Sequence, residues 1–210
     1  MWLKISNPKI QKMIINLTGD GKGKTTSAFG TAFRALGYGR SVCIIQFMKS
    51  GNSGEFNFIK QLNKKIKNKI LIYSFGEKEL IAKNNKLAKE LKMKSCFEKS
   101  KIRIKTNKDK LLAKLALKKA YDCLKQKPFL LILDEINVAV HFNLISKNDV
   151  LKFLKSALKK SNGTNIILTG RNSPLELIKI SDIVSEIKSV KHYFDNKESR
   201  TVGPVKGIDF

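Results

Sequence analysis

The stretch that most restricts this chain is Met13-Ile14-Ile15-Asn16-Leu17-Thr18 running directly into Gly19-Asp20-Gly21-Lys22-Gly23-Lys24-Thr25-Thr26. A short apolar run stopped by glycine reads as a buried parallel strand followed by a turn. A helix is expected to begin near Lys24 and end at Leu36, because Gly37 and Gly39 are natural stop signals. Glycines let backbone N–H groups turn inward around phosphate oxygens, and the helix N-terminus adds positive potential. In such a loop Lys24 neutralises the outer phosphates and Thr25 offers a hydroxyl to Mg²⁺ or Mn²⁺. Thr18 stands where the strict pattern has its first glycine, five residues before Gly23. A glycine-rich surface turn is the plainer alternative. The order strand, glycines, Lys-Thr, helix favours a phosphate cradle, with Gly19, Asp20, Gly21, Lys22, Gly23, Lys24, Thr25 and Thr26 as its nucleotide-binding set.

Strands and helices go on alternating. Residues 41–47 read as a second strand, 55–64 as a helix, 70–75 as a third strand and 80–94 as a lysine-rich helix, with 95–109 as the longest loop. Residues 109–125 place Leu111, Leu112, Leu115, Ala116, Tyr121 and Leu124 near helical spacing, and Pro128 ends that segment. Residues 129–133 form an apolar strand finishing in Asp134-Glu135, and 165–169 another finishing in Gly170-Arg171. A helix over 147–159 lies between them; a short helix after Pro174 and a strand over 183–187 complete the pattern. The implied class is α/β, a mostly parallel central sheet flanked by helices in a P-loop NTPase-like (RecA-like) three-layer architecture. Its ligands bind beyond the carboxyl ends of the strands. At 210 residues a single nucleotide-binding domain is expected, with residues 1–12 as an N-terminal extension.

Asp134 ends a buried strand, so its carboxylate should emerge at the same sheet edge as the cradle and hold Mg²⁺ directly or through water. Glu135 either shares that role or orients a neighbouring group. Acidic residues after strands also cap helices, and only the nearby cradle tips this pair toward a metal.

Charge raises a different possibility. With 42 Lys and Arg against 17 Asp and Glu the formal charge is +25, which suits nucleic acid if the basic residues cluster. The distribution weakens that reading: only five are Arg (Arg34, Arg40, Arg103, Arg171 and Arg200), and lysines spread along almost every segment, a bias that an A+T-rich genome also produces, which leaves the densest tract, from Lys60 to Lys69 and on through Lys110, as the alternative anion-facing surface. Nucleic acid is therefore not the expected partner. The apolar runs are too short to span a bilayer, and the first twelve residues lack the continuous apolar core of a secretory signal, so a cytoplasmic protein is expected. Cys43, Cys96 and Cys123 are odd in number and far apart, which points to reduced, mostly buried thiols rather than a disulfide framework.

The string from Thr18 to Gly30, then Ile45-Gln46-Phe47-Met48-Lys49-Ser50-Gly51 with Gly54-Glu55, resembles the N-terminal half of the P-loop type of ATP:corrinoid adenosyltransferase. Leu133-Asp134-Glu135-Ile136-Asn137, Leu168-Thr169-Gly170-Arg171-Asn172-Ser173-Pro174, Asp182-Ile183-Val184-Ser185-Glu186 and Val190-Lys191-His192-Tyr193-Phe194-Asp195 are similar to that family's later motifs, and Gly207-Ile208-Asp209-Phe210 to its terminus. The resemblance implies transfer of the 5′-deoxyadenosyl group of ATP to the cobalt of a reduced corrinoid, with triphosphate leaving, in adenosylcobalamin biosynthesis or salvage. It implies Lys24, Thr25 and Glu135 as catalytic residues, and residues 19–26 with Arg171 around the triphosphate. Thr25 with Asp134 or Glu135 handles Mg²⁺. Arg171 is weighed evenly against a structural salt bridge, and Lys191 and His192 are read as structural. Lys49 and Glu55 match family positions and are expected to order the loop near substrate. A homodimer and an electron-donating flavoprotein are implied partners. One departure stands out: the family continues after its third strand with a Gly-Phe-Thr-Trp type sequence whose aromatics help hold the corrinoid, whereas Phe75-Gly76-Glu77 is followed here by Lys78-Glu79-Leu80-Ile81. Phe75, Phe47 or Phe56 are the candidates to substitute. A basic nucleic-acid-binding ATPase and another P-loop kinase or hydrolase are the rival functions.

Overall fold

The computed structural model describes residues 12–62, 64–93, 101–160, 163–191 and 205–208. Six strands, β1 (Ile14–Thr18), β2 (Val42–Phe47), β3 (Ile70–Phe75), β6 (Leu130–Asp134), β7 (Asn165–Thr169) and β8 (Ile183–Glu186), form one sheet in the order β3-β2-β6-β7-β1-β8, every pair parallel. Parallel pairing needs crossovers, and helices supply them: α1 (Lys24–Gly37), α2 (Gly54–Gln61), α3 (Lys64–Lys67), α5 (Asn107–Lys125), α6 (Ile136–His141), α7 (Lys147–Lys160) and α8 (Leu175–Ile180).

The four inner strands, β2, β6, β7 and β1, are mostly apolar because both faces are covered. Alternate residues separate cleanly: Ile44, Ile132 and Ile167 pack with Phe29 and Ala32 of α1, while Cys43, Ile45, Leu131, Leu133, Ile166 and Leu168 pack with Ala116, Ala120 and Phe153 on the other face. These are the three layers expected. Each buried Ile or Leu contributes about 1.5–3 kcal/mol relative to exposure. β8 differs, with all four residues exposed at the sheet edge.

Three readings are corrected. Residues 80–94 are not one helix: Leu80–Ala82 is strand β4, paired in parallel with β5 (Ile102–Ile104) in a separate two-stranded sheet, and α4 spans Asn85–Met93. Pairing buries Ile81 and Ala82, and the Asn84 side chain accepts from Leu87 N at 2.9 Å to start the helix anew. The expected loop over 95–109 contains β5 and the start of α5, whose Thr106 and Asp109 form a capping box; residues 95–100 lie outside the described residues. The helix read over 55–64 ends at Gln61 and is followed by the separate turn α3. α6 was not anticipated, since Ile136-Asn137-Val138-Ala139-Val140 carries β-branched residues that argue for a strand.

Of the first twelve residues only Lys12 is described, with its ammonium donating to Leu158 O at 2.9 Å. Cys43 and Cys123 are buried free thiols; Cys96 lies outside the described residues, as does His192. Among the described residues no helix is long and apolar enough to cross a membrane.

Candidate functional site

Strand order decides what meets at the carboxyl edge. β7 lies between β1 and β6, so Thr18 and Asp134 end strands two spacings apart, about 10 Å. α1 starts in that gap. Gly23 takes the left-handed conformation (φ 112°) before it, no side chain caps its first turn, and no acidic residue stands there. Open N–H groups and a helix dipole undiminished by carboxylates suit an anion.

The loop is braced from outside. Gly21 N donates to Ile187 O at 2.7 Å, Ile187 N to Thr18 O at 2.9 Å, and Ser189 N to the Asp20 carboxylate at 3.2 Å. A Cβ on Gly19 would lie 2.4 Å from Ile187 O, and one on Gly21 2.7 Å from the Lys188 carbonyl, so only glycine admits this brace. The chain after β8 thus holds the loop's shape. Lys24 is buried and donates to Gly21 O at 2.5 Å, inside the loop's own curve. Burial, with Arg171 next, pushes its ammonium below its ordinary pKa, against the pull of Glu135 and Asp20. Lys22 of the loop and Thr26 in the first turn of α1 are exposed.

Asp134 is fully buried and ringed by donors. Thr25 Oγ1 reaches Oδ1 at 2.9 Å and Thr169 Oγ1 reaches it at 2.7 Å; Lys49 Nζ reaches Oδ2 at 2.7 Å and Gln46 Nε2 at 3.2 Å. Burial alone would raise this carboxyl, but the Lys49 charge and the bonds from Lys49, Thr169 and Thr25 outweigh it and hold the pKa low. Lys49 also contacts Thr25 Oγ1 at 3.1 Å. Burial opposes its charge, yet Asp134 and then Glu135 keep the ammonium above its ordinary range.

Glu135 follows in the left-handed region (φ 64°), its N–H donating to Thr169 Oγ1 at 2.9 Å. Burial and then Asp134 raise its carboxyl, opposed by Lys49, Lys24 and Arg171. Met48 (φ 59°) and Asn172 (φ 55°) take the same conformation just after β2 and β7, so backbone strain gathers along this edge. Arg171 is exposed, close enough for its charge to act on Lys24, Asp20 and Glu135, and it forms no ion pair with a described residue.

Thr25 and Asp134 offer hard oxygens around a spot that already holds a cation, so the donor set fits Mg²⁺. Among the described residues no group of three or more His, Cys, Asp and Glu could hold a metal.

Sequence reasoning passed over Gln46 and Thr169 as members of this network, together with Asn16, Asn137 and Ser173. These last form a linked set, with Asn137 donating to Asn16 at 2.9 Å and to Gly170 O at 3.2 Å, and Asn16 donating to Ser173 Oγ at 2.9 Å. A signal existed. Each of β1, β2, β6 and β7 carries a polar residue at or next to its carboxyl end after an apolar run, namely Thr18, Gln46, Asp134 and Thr169, and Gln46 and Asp134 are register partners.

Of the residues considered as substitutes for the aromatic pair, Phe47 is fully buried, Phe75 packs against the core and Phe56 sits under Lys60 Nζ at 4.5 Å. An open groove of about 830 Å³ runs between Asn172 and Pro174 after β7, His141 of α6, and Lys83, Lys110 and Lys114. Burial and Lys83 lower the His141 pKa. Lys191 is exposed.

Comparison with known proteins identifies the family. The chain is 30% identical over 183 residues to a corrinoid adenosyltransferase of a Sinorhizobium species, covering 87% of this chain and 74% of that protein. It is 27% identical over 192 residues to the Escherichia coli K12 corrinoid adenosyltransferase (91% and 84%). It is 28% identical over 184 residues to corrinoid adenosyltransferase CobA of Salmonella typhimurium (87% and 80%). Residues 11–210 match the family model as a whole, and the chain belongs to the ATP:corrinoid adenosyltransferase BtuR/CobO/CobP family.

Proposed function

We propose that the chain transfers the 5′-deoxyadenosyl group of ATP to the cobalt of a reduced corrinoid and releases inorganic triphosphate. Family membership across residues 11–210 carries this reading. The cobalt(I) electron pair attacks C5′, the cobalt–carbon bond forms, and the C5′–O bond breaks with its pair leaving on triphosphate. The corrinoid is its own nucleophile, so no side chain has to attack. The protein's task is then to bind the triphosphate, leave C5′ open and stabilise charge growing on the departing group.

The open N-terminus of α1 and the loop at 19–26 suit the phosphates. Lys24 would exchange Gly21 O for a phosphate oxygen, and Arg171 would approach from the exposed side. Thr25 and Asp134 would hold Mg²⁺, with Glu135 beside them. When bound, Mg²⁺ would neutralise charge on the triphosphate. The basic groove beside Asn172 offers space for the corrinoid. A single domain over 1–210, a homodimer, an electron-donating flavoprotein and a cytoplasmic setting complete the proposal.

The test is anaerobic. ATP added to purified protein with chemically reduced corrinoid should convert the cobalt(I) spectrum to that of an alkylated corrinoid; an unchanged spectrum contradicts the transferase reading.

A further inference from the structure

Lys49 has a placement that loop ordering does not explain. It follows Met48, whose left-handed backbone turns the chain back over the sheet edge immediately after β2. Its ammonium lands 2.7 Å from Asp134 Oδ2 and 3.1 Å from Thr25 Oγ1. These are the two side chains assigned above to the divalent ion. The position is enforced: a Cβ on Gly76 would lie 2.3 Å from Lys49 N and from the Met48 carbonyl carbon, so glycine there lets the chain press Lys49 inward. Gln46, whose amide oxygen accepts from Ser74 Oγ at 2.8 Å, turns its Nε2 to the same carboxylate oxygen as Lys49.

We propose that Lys49 is a tethered cation that fills the divalent-metal position in the nucleotide-free protein and yields it when metal and triphosphate arrive together. This rests on the reading of Thr25 and Asp134 as metal ligands. An ammonium and Mg²⁺ cannot share one buried carboxylate oxygen without strong repulsion. A bare divalent ion must therefore displace Lys49 from Asp134, leaving the ammonium only the more distant charges of Glu135 and Glu55. Once a triphosphate occupies the loop, its oxygens receive Lys49 and the metal together. Nucleotide and metal thereby enter as one unit, and the buried Asp134 never stands unpaired in the empty site.

The experiment measures Mn²⁺ binding to nucleotide-free full-length protein by the electron paramagnetic resonance of free Mn²⁺. Wild type should bind weakly. Lys49→Met should tighten binding about tenfold or more, and Lys49→Met/Asp134→Asn should return it to the wild-type level. No gain in Lys49→Met, or a gain that survives in the double variant, overturns the proposal. Circular dichroism checks folding, and Lys49→Gln replaces Met if that variant fails to fold. In parallel, wild type carrying ¹³C-methylated lysines should show the Lys49 resonance shifting with Mg²⁺ and a non-reactive ATP analogue, and unmoved by Mg²⁺ alone. A Lys49 signal indifferent to both also overturns it. These readouts need no corrinoid: a chain that passes them yet forms ADP loses the transferase reading alone, and one that adenosylates corrinoid without the Lys49→Met gain loses the tethered cation alone.

Discussion

Two buried carboxylates, Asp134 at the end of β6 and Asp109 in the first turn of α5, are each neutralised by one basic side chain, and the manner of pairing separates them. Asp109 is gripped by both terminal nitrogens of Arg103 at 2.6 and 2.7 Å and also receives Thr106 N at 2.7 Å as a helix cap; Arg103 further pairs with Glu79 at 2.9 Å. Asp134 meets a single ammonium, Lys49, among hydroxyls and an amide at the open sheet edge. A planar two-pronged guanidinium locks a geometry, while a lysine on a flexible stem can be exchanged for another cation. The first pair closes the excursion β4-α4-β5 onto the body of the fold; the second, in the proposal above, keeps a metal site ready. A buried, paired charge is common to both, so that feature by itself does not mark function.

The comparison can be broken at either end. Lys24→Ala should have the largest effect, lowering turnover by about 10²–10³-fold with the fold intact, because it removes charge aimed at the departing phosphates. Steady-state rates with parallel melting curves check this, and unchanged turnover removes Lys24 from the site. Asp134→Asn should lower stability by about 3–5 kcal/mol in urea melts, since it strands the Lys49 ammonium. The native Asp134 pKa is depressed, so its contribution is present above the ordinary carboxylate value and fades as pH falls through the native one. Wild type and variant should therefore converge in acid.

Arg103→Ala should cost about 1.5–3 kcal/mol by leaving Asp109 with its cap alone, while ATP affinity stays at the wild-type level. Loss of ATP binding in that variant would erase the distinction between the two pairs. The smallest effect belongs to Glu135→Gln. A raised native pKa means that ionised Glu135 weakens the fold above that value and is neutral below the ordinary glutamate pKa. The variant should melt higher than wild type near pH 7, and the gap should close on acidification; a constant gap contradicts the assignment.

The same contrast explains what could be read from residues alone. The strand, glycine loop and helix start over 14–37, and the buried position of Asp134, were legible because they follow from local patterns at short spacing: an apolar run, glycines, Lys-Thr. The three layers followed from apolar runs alternating with amphipathic ones. The excursion was not legible. β4 and β5 are three residues each, too short for a periodic signal, and they pair across about 20 residues of lysine-rich sequence. Lys49 was visible as a family match, but its ion pair spans 85 residues and depends on strand order, which no local pattern encodes. The absent aromatic pair is clearer in the fold: in its place Glu77 pairs with Lys108 at 2.6 Å and Glu79 with Arg103, so this stretch binds to its own chain.

What remains decisive is which atom of ATP is attacked. Phosphorus-31 NMR of an anaerobic reaction containing ATP, Mg²⁺ and chemically reduced corrinoid reads it directly. Attack at C5′ predicts inorganic triphosphate appearing in step with alkylated corrinoid; ADP with phosphate as the sole products would place the chain among phosphoryl-transfer enzymes instead.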